Sequence, residues 1–310
     1  MIYTVTLNPA IDKTVTIPDF CLDSVNRVVD CRLDPGGKGI NVSKVLSALG
    51  QPSVVFTLLA GDTGRTLRAM LAQAGLSVVA HELPGQTRQN LKVVDPARHS
   101  NTDINEPGAP ASAAALAGLR QDLLARVQPG DLVVLAGSLP AGAPPDTYAG
   151  WVSACQAAGA KVFVDADGPA LREAVAARPY LIKPNESELV RLAGCPLPTE
   201  TALVTAGRAL LAAGVHKVVI SRGAQGAIYL SEEENFAAEG LSVPVGSTVG
   251  AGDSMVAALA LAEARGLPWR EAARLSTAAG AANVSCQGTE PAPREAVEAL
   301  LERVVLRPAQ

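Results

Sequence analysis

Histidine is scarce in this sequence: His81, His99 and His216 are the only three. None stands in a His-Glu-x-x-His pair or beside a Gly-x-Ser-x-Gly elbow, so neither the metal-hydrolase nor the serine-hydrolase reading has support. The five cysteines, Cys21, Cys31, Cys155, Cys195 and Cys286, are odd in number and too scattered for a zinc site, and they read as reduced thiols. The longest apolar run, around Met255 to Ala262, falls far short of the roughly 20 residues that a bilayer-spanning helix needs. Met1 to Leu7 lacks the charged start and apolar centre of a secretory leader, which predicts a cytoplasmic protein. Lysine and arginine number 26 against 30 acids, with no long basic block, so the charge footprint of a nucleic-acid binder is missing.

What is present is a chain of 310 residues, 48% hydrophobic and 18% charged, with ample material for a buried core. No linker, repeat or low-complexity tract divides it, and it reads as a single domain over 1–310. Short β-branched apolar runs recur at Ile2 to Leu7, Ser53 to Leu59, Leu132 to Ala136, Val162 to Asp165, Tyr180 to Ile182 and Val218 to Ser221. Between them lie Ala-rich helical stretches: Val42 to Leu49, Gly64 to Ala74, Ser112 to Val127, Thr147 to Ala158, Glu186 to Ala193, Thr201 to Ala213, Ser254 to Arg265, Trp269 to Val284 and Arg294 to Val304. This alternation predicts an α/β fold, a mostly parallel sheet with helices on both faces. Lys13 to Leu33 and Gln86 to Asn105 break the rhythm with strand-like, polar-alternating sequence and no helix. As two antiparallel excursions they predict a discontinuous second sheet, a lid over the ends of the parallel strands.

Two glycine clusters open helices. Gly250-Ala251-Gly252-Asp253 leads into the apolar stretch from Ser254, and Gly36-Gly37-Lys38-Gly39-Ile40-Asn41 leads into the one from Val42. A helix start preceded by glycine offers unpaired N–H groups and a positive dipole end to an anion. Asp253 is placed either to touch a hydroxyl that attacks such an anion or simply to cap the helix. The Lys38 cluster is not a Walker A loop, since Gly39 follows the lysine where Ser or Thr is needed and Cys31 and Arg32 stand upstream. Nor is either cluster a Gly-x-Gly-x-x-Gly dinucleotide motif, because Val42 and Met255 occupy the third glycine's place.

Gly36 to Val42 together with Ser247-Thr248-Val249-Gly250-Ala251-Gly252-Asp253-Ser254 resembles the two signatures of the phosphofructokinase B-type, or ribokinase-like, carbohydrate kinases. Asn8 to Asp12, Asn105 to Gly108, Gly137 to Pro140, Lys183 to Glu188 and Ser221 to Gly226 stand in that family's order, and Ser247-Thr248-Val249 resembles the form of its 1-phosphofructokinase and tagatose-6-phosphate kinase branch. The resemblance implies a three-layer α/β/α core with a small β lid, and transfer from ATP, with Mg2+, to D-fructose 1-phosphate. It implies Asp253 as catalytic base, with the N–H groups of Gly250, Ala251 and Gly252 stabilising the transferred phosphoryl. Asp12 becomes a sugar-hydroxyl ligand. Lys38, Arg88 and Lys92 become candidates for the substrate phosphate, joined by Gly36, Gly37, Asn41, Asn90 and Ser138. Lys183, Asn185, Ser221, Gly223, Gly226, Thr248 and Asn283 face the nucleotide, Asn283 at the adenine edge. Asn185 and Glu188 act on magnesium, although Asn185 could equally cap a helix with Glu188 in its first turn. Tagatose 6-phosphate or fructose 6-phosphate is the competing acceptor, and a non-catalytic sugar-phosphate sensor and a nucleoside or ribose kinase are the readings farther off. The family's habit of pairing through the lid implies a possible homodimer, with Val15, Ile17 and Val28 as candidate interface residues.

Overall fold

The computed structural model describes residues 1–310, in which strands and helices alternate much as the apolar runs require. The chain begins with β1 (Ile2–Thr6) and then leaves the main sheet through β2 (Ala10–Thr16) and β3 (Asp30–Gly36). Helix α1 (Lys38–Ala48), β4 (Val54–Ala60), α2 (Gly61–Gln73) and β5 (Ser77–Leu83) precede a second excursion, β6 (Arg88–Asp95) and β7 (Ser100–Ile104). Then follow α3 (Ala113–Leu124), β8 (Leu132–Ala136), α4 (Thr147–Ala157), β9 (Lys161–Asp165), α5 (Gly168–Ala176), β10 (Leu181–Ile182), α6 (Glu186–Ala193), α7 (Glu200–Ala212) and β11 (Lys217–Ser221). Strands β12 (Ala227–Ser231) and β13 (Asn235–Ala238), helices α8 (Ala251–Ala264), α9 (Trp269–Val284) and α10 (Arg294–Leu301), and β14 (Leu306–Pro308) complete it. No helix is long and apolar enough to cross a membrane.

The main sheet has ten strands in the order β14-β13-β12-β11-β10-β9-β8-β1-β4-β5. From β5 to β11 every pair is parallel, and β12, β13 and β14 add an antiparallel edge. Side chains alternate between two cores of similar size, 35 and 33 buried residues, so both faces of the sheet are covered. Val133 and Leu135 of β8 join one core with α3, α4, α5 and α7, whereas Leu132, Val134 and Ala136 join the other with α1, α8, α9 and α10. That double burial explains why these strands read as unbroken apolar runs.

The smaller sheet has the order β3-β2-β6-β7. Its two hairpins are antiparallel, but they meet through a parallel pair, β2 with β6, that places Asp12 beside Asn90 and Thr14 beside Lys92. Strand β2 begins at Ala10, and 17–29 carries no strand, so the first excursion is shifted and broken relative to the expectation. Val15 and Ile17 are buried against Val93 and belong to this sheet's own core rather than to an interface. Val28 is exposed, as are Leu22, Val25 and Val29 beside it.

Candidate active site

The C-terminal ends of β1, β8, β9, β10 and β11 open onto one cleft of about 1100 Å³, roofed on one side by the smaller sheet. Clefts at strand ends are the usual ligand sites of open α/β sheets. On the smaller sheet Asp12, Arg88, Asn90 and Lys92 line it, and Gly37, Lys38 and Asn41 line it from the start of α1. Ser138 follows β8. Its Oγ accepts a hydrogen bond from Asn8 Nδ2 at 3.2 Å. Lys183, Asn185 and Glu188 border the cleft after β10, Ser221, Gly223 and Gly226 after β11, and Thr248 and Gly250 to Asp253 at the start of α8.

Helix α8 explains why an acid is held there. Gly250 is the residue that opens the helix, with φ +84 in the left-handed region that favours glycine. Asp253 is therefore the third residue of the helix, not its cap, and its carboxylate makes no capping bond. No internal acceptor meets the N–H groups of Ala251, Gly252 or Asp253, so the positive end of the helix faces the cleft unpaired. Asp253 Oδ2 accepts from Asn41 Nδ2 at 2.8 Å. Burial, reinforced by the charge of Asp165, pushes this carboxyl up to about 6, while Lys38, Asn41 and Lys183 pull it down. A carboxylate in that state can take a proton from a bound hydroxyl near neutral pH.

Asp165, at the end of β9, was absent from the sequence-derived set. Its side chain is 1% exposed and its oxygens face Lys38 Nζ at 3.0 Å and Lys183 Nζ at 3.6 Å. Burial alone would raise its pKa, but Lys183 and then Lys38 outweigh it and hold the group ionised. Burial likewise works against Lys38, yet Asp165, Asp253 and Glu188 drive its pKa above the ordinary lysine value. The signal for Asp165 was an acid closing an otherwise apolar strand, the same position that makes strand ends functional. Lys44, one turn after Asn41 on α1, was also missed. Its Nζ donates to Thr289 O at 2.7 Å and to Pro35 O at 3.3 Å, and so it ties the loop after α9 to the end of β3.

On the smaller sheet Asp12 Oδ1 accepts from Asn90 Nδ2 at 2.9 Å, and burial raises the Asp12 pKa against the pull of Asn90, Lys44, Lys92 and Arg88. Gly36 does not line the cleft. A Cβ there would collide with the Asp12 carboxylate, so the glycine makes room for Asp12. Arg88 Nη2 donates to Asn8 O at 2.9 Å and Nη1 to Glu106 O at 3.1 Å. Arg88 Nε, Asn41 Oδ1 and Asn90 Oδ1 are buried without any partner, three polar atoms about one cleft that ask for a ligand. Asp34, another acid outside the sequence-derived set, lies opposite Asp12 in the sheet and is paired with Arg32 at 2.8 Å.

Asn283 and Asn185 each serve a helix start. Asn283 is buried away from the cleft lining: its Nδ2 donates to Val249 O at 3.0 Å and its Oδ1 accepts from Ser254 Oγ at 2.8 Å. Each end of the amide thus has a partner in or beside the turn before α8, and Asn283 holds that turn from outside the cleft lining. Asn185 does cap α6: its Oδ1 accepts from Glu188 N–H at 2.8 Å while Glu188 Oε2 accepts from Asn185 N–H at 2.8 Å. Asn185 Oδ1 therefore already serves the helix with one of its two lone pairs, while Asn185 Nδ2 and Glu188 Oε1 have no protein partner. No group of three or more His, Cys, Asp or Glu side chains is arranged as a metal cage. Magnesium that keeps most of its water and rides on substrate phosphates needs only one or two carboxylates, and Glu188 Oε1 at the cleft fits that demand.

The model of the family described as pfkB family carbohydrate kinase matches residues 5–296. A curated 1-phosphofructokinase of Rhodobacter capsulatus is 41% identical over 99% of this chain and 97% of its own length. Another 1-phosphofructokinase, from Bacillus subtilis, is 36% identical over 98% of each chain. Among solved structures, phosphofructokinase-2 from Escherichia coli in complex with substrates and products superposes with a TM-score of 0.93 at 31% identity, covering 97% of this chain and 98% of that one.

Proposed function

The chain belongs to the pfkB family of carbohydrate kinases, and from that membership we propose that it moves the γ-phosphoryl group of ATP to D-fructose 1-phosphate, giving ADP and fructose 1,6-bisphosphate. The observation that carries the reading is the juxtaposition of Asp253 with the unpaired N–H groups that open α8. In the proposed step the free C6 hydroxyl oxygen of the sugar forms a bond to the γ-phosphorus. The bond from that phosphorus to the β,γ-bridging oxygen breaks, ADP leaves, and the hydroxyl proton passes to Asp253. A loose phosphoryl-transfer transition state asks more of positioning than of basicity, which suits a carboxylate that titrates near 6.

Arg88 and Lys92 receive the acceptor's own phosphate, and Asp12 with Asn90 fixes a pair of sugar hydroxyls. Lys38 is shared between Asp165 and the cleft and neutralises charge between donor and acceptor. Lys183, Asn185 Nδ2 and the Ser221 to Gly226 turn hold the nucleotide phosphates, while Leu241, Val243, Val245 and Val284 form the apolar wall for its base. Glu188 would help to hold magnesium, and the ion would neutralise charge on the transferred group. The smaller sheet acts as the lid of one 1–310 domain, and its exposed Leu22, Val25, Val28 and Val29 support pairing of two copies through it. An ATP-consuming step of this kind belongs in the cytoplasm.

The curated 1-phosphofructokinase relatives support fructose 1-phosphate as acceptor, whereas the fold match to phosphofructokinase-2 from Escherichia coli in complex with fructose-6-phosphate keeps a 6-phosphate in competition. Comparing kcat/KM for fructose 1-phosphate, fructose 6-phosphate, tagatose 6-phosphate and ribose decides between them. Fructose 1-phosphate is expected to lead by at least about tenfold. Preference for a 6-phosphate would overturn the acceptor, and no turnover with any of the four would favour a sensor.

A further inference from the structure

The turn after β11 shows Ser221, Gly223, Ala224 and Gly226 to the cleft, but Arg222 points behind it. The Arg222 side chain is 14% exposed and its guanidinium has three acceptors. Nε donates to Glu186 Oε1 at 2.9 Å, Nη1 to Glu200 Oε2 at 2.9 Å and Nη2 to Gln225 Oε1 at 2.7 Å. Glu186 opens α6 beside Asn185, and Ser221 N–H bonds back to Pro184 O at 3.0 Å, so this arginine braces the turn against two helix starts. Glu200 is shared. Both Arg307 amines donate to its two oxygens at 2.6 Å, and Gln310 N–H reaches it at 3.4 Å. Those hydrogen bonds from Arg307 hold the Glu200 carboxyl down at about 2, so the network stays charged at any ordinary pH. Arg307 lies on β14, the edge strand that closes the main sheet against β13.

The turn contains Gly223 at φ +54 and Gly226 at φ +91 and closes on itself through Arg222 N–H to Gly226 O at 2.9 Å and Gln225 N–H to Arg222 O at 3.0 Å, but those bonds fix its shape and not its place against α6 and α7. A turn held in place before a ligand arrives need not be fixed at binding, and a brace from behind removes that cost in advance. We propose that Arg222 is a positioning residue for the nucleotide, held by Glu186 and Glu200, and that Arg307 on the last strand tunes nucleotide affinity by fixing Glu200. This inference rests on the reading above that the 221–226 turn meets the nucleotide.

The test is ADP binding by calorimetry, with steady-state kinetics and a melting temperature, on the full chain and its Arg222→Met, Arg222→Lys, Arg307→Met and Ala224→Arg variants. Arg222→Met is expected to weaken ADP binding and raise the ATP KM about tenfold, and Arg307→Met about threefold, with kcat and the sugar-phosphate KM within about twofold of native. Arg222→Lys keeps the charge but not the fork, and should recover only part of the loss. Ala224→Arg puts bulk on the cleft face and should abolish ADP binding. If Ala224→Arg binds ADP normally, the nucleotide reading of the turn fails and the proposal with it. If Ala224→Arg fails to bind but the Arg222 and Arg307 variants bind as native does, the brace alone is refuted. It is refuted equally if those variants lose kcat and both KM values together with melting temperature, which is general loosening.

Discussion

Asp253 sits where burial and the charge of Asp165 oppose its ionisation while Lys38, Asn41 and Lys183 favour it, and the balance leaves the carboxyl at about 6 instead of the ordinary 3.8. Asp253→Asn is expected to keep the fold and nucleotide binding while kcat falls by about a thousandfold or more, read in a coupled ADP assay. The same substitution should raise the melting temperature. A carboxyl whose pKa is higher folded than unfolded costs stability as pH rises from about 4 to about 6, and the cost stays in full above that, so a neutral amide removes it at pH 7. The acid limb of the kcat/KM profile should fall as pH drops through about 6. Asn41→Ala withdraws a hydrogen bond that favours the ionised form, so it should move this limb to higher pH. A limb that stays in place on that substitution would remove Asn41 from its supporting role. Most of these side chains were legible in the sequence through the family resemblance, which the two glycine clusters and the motifs between them carry. Asp165 and Lys44 were not, since one closes an apolar run like any strand-terminal acid and the other lies mid-helix, and only the fold brings them to Lys38 and Thr289.

Among the elements, the long apolar strands and the Ala-rich helices were readable because β1, β8, β9 and α8 are buried nearly throughout and carry unmixed patterns. Strand β5 was not read because it is an edge whose residues are mostly half-exposed, and β13 and β14 are too short to show a period. Helix α5 opens with Gly168-Pro169, which punctuates like a turn, although proline at the first helical positions is well tolerated. Helices α1 and α2 start earlier than expected, at Lys38 and Gly61, because glycine within the first turn hid their beginnings. Two glycines test how elements fix the site. A Cβ on Gly280 of α9 would lie 2.8 Å from Met255 Cγ and 3.5 Å from Ala251 O on α8. Gly280→Val should therefore cost about 1–3 kcal/mol of stability and lower kcat, because the overpacked α8 carries Asp253 with it. Gly36→Ala should act on the other side, raising the sugar-phosphate KM about tenfold by displacing Asp12, with the ATP KM unchanged. Equal rises in both KM values would mean that Gly36 shapes the whole loop rather than the acceptor site.

For the molecule as a whole, the smaller sheet and the sheet-end turns face each other across one cleft, and their chemistry differs as donor and acceptor sites should. One wall carries Asp12, Arg88, Asn90 and Lys92, suited to a sugar bearing its own phosphate, and the other carries glycine turns, Lys183 and an apolar strip. Asp253 and Lys38 lie between them. The broad architecture followed from the alternation of patterns, while the parallel junction of β2 with β6 did not, because pairing between distant hairpins leaves no local mark. The most direct measurement is 31P NMR of the native protein and Asp253→Asn with ATP, magnesium and fructose 1-phosphate. The account predicts that native protein forms fructose 1,6-bisphosphate and ADP in equal amounts and that Asp253→Asn forms neither above background. ADP with inorganic phosphate in place of the bisphosphate, or native-like product formation by Asp253→Asn, would contradict it.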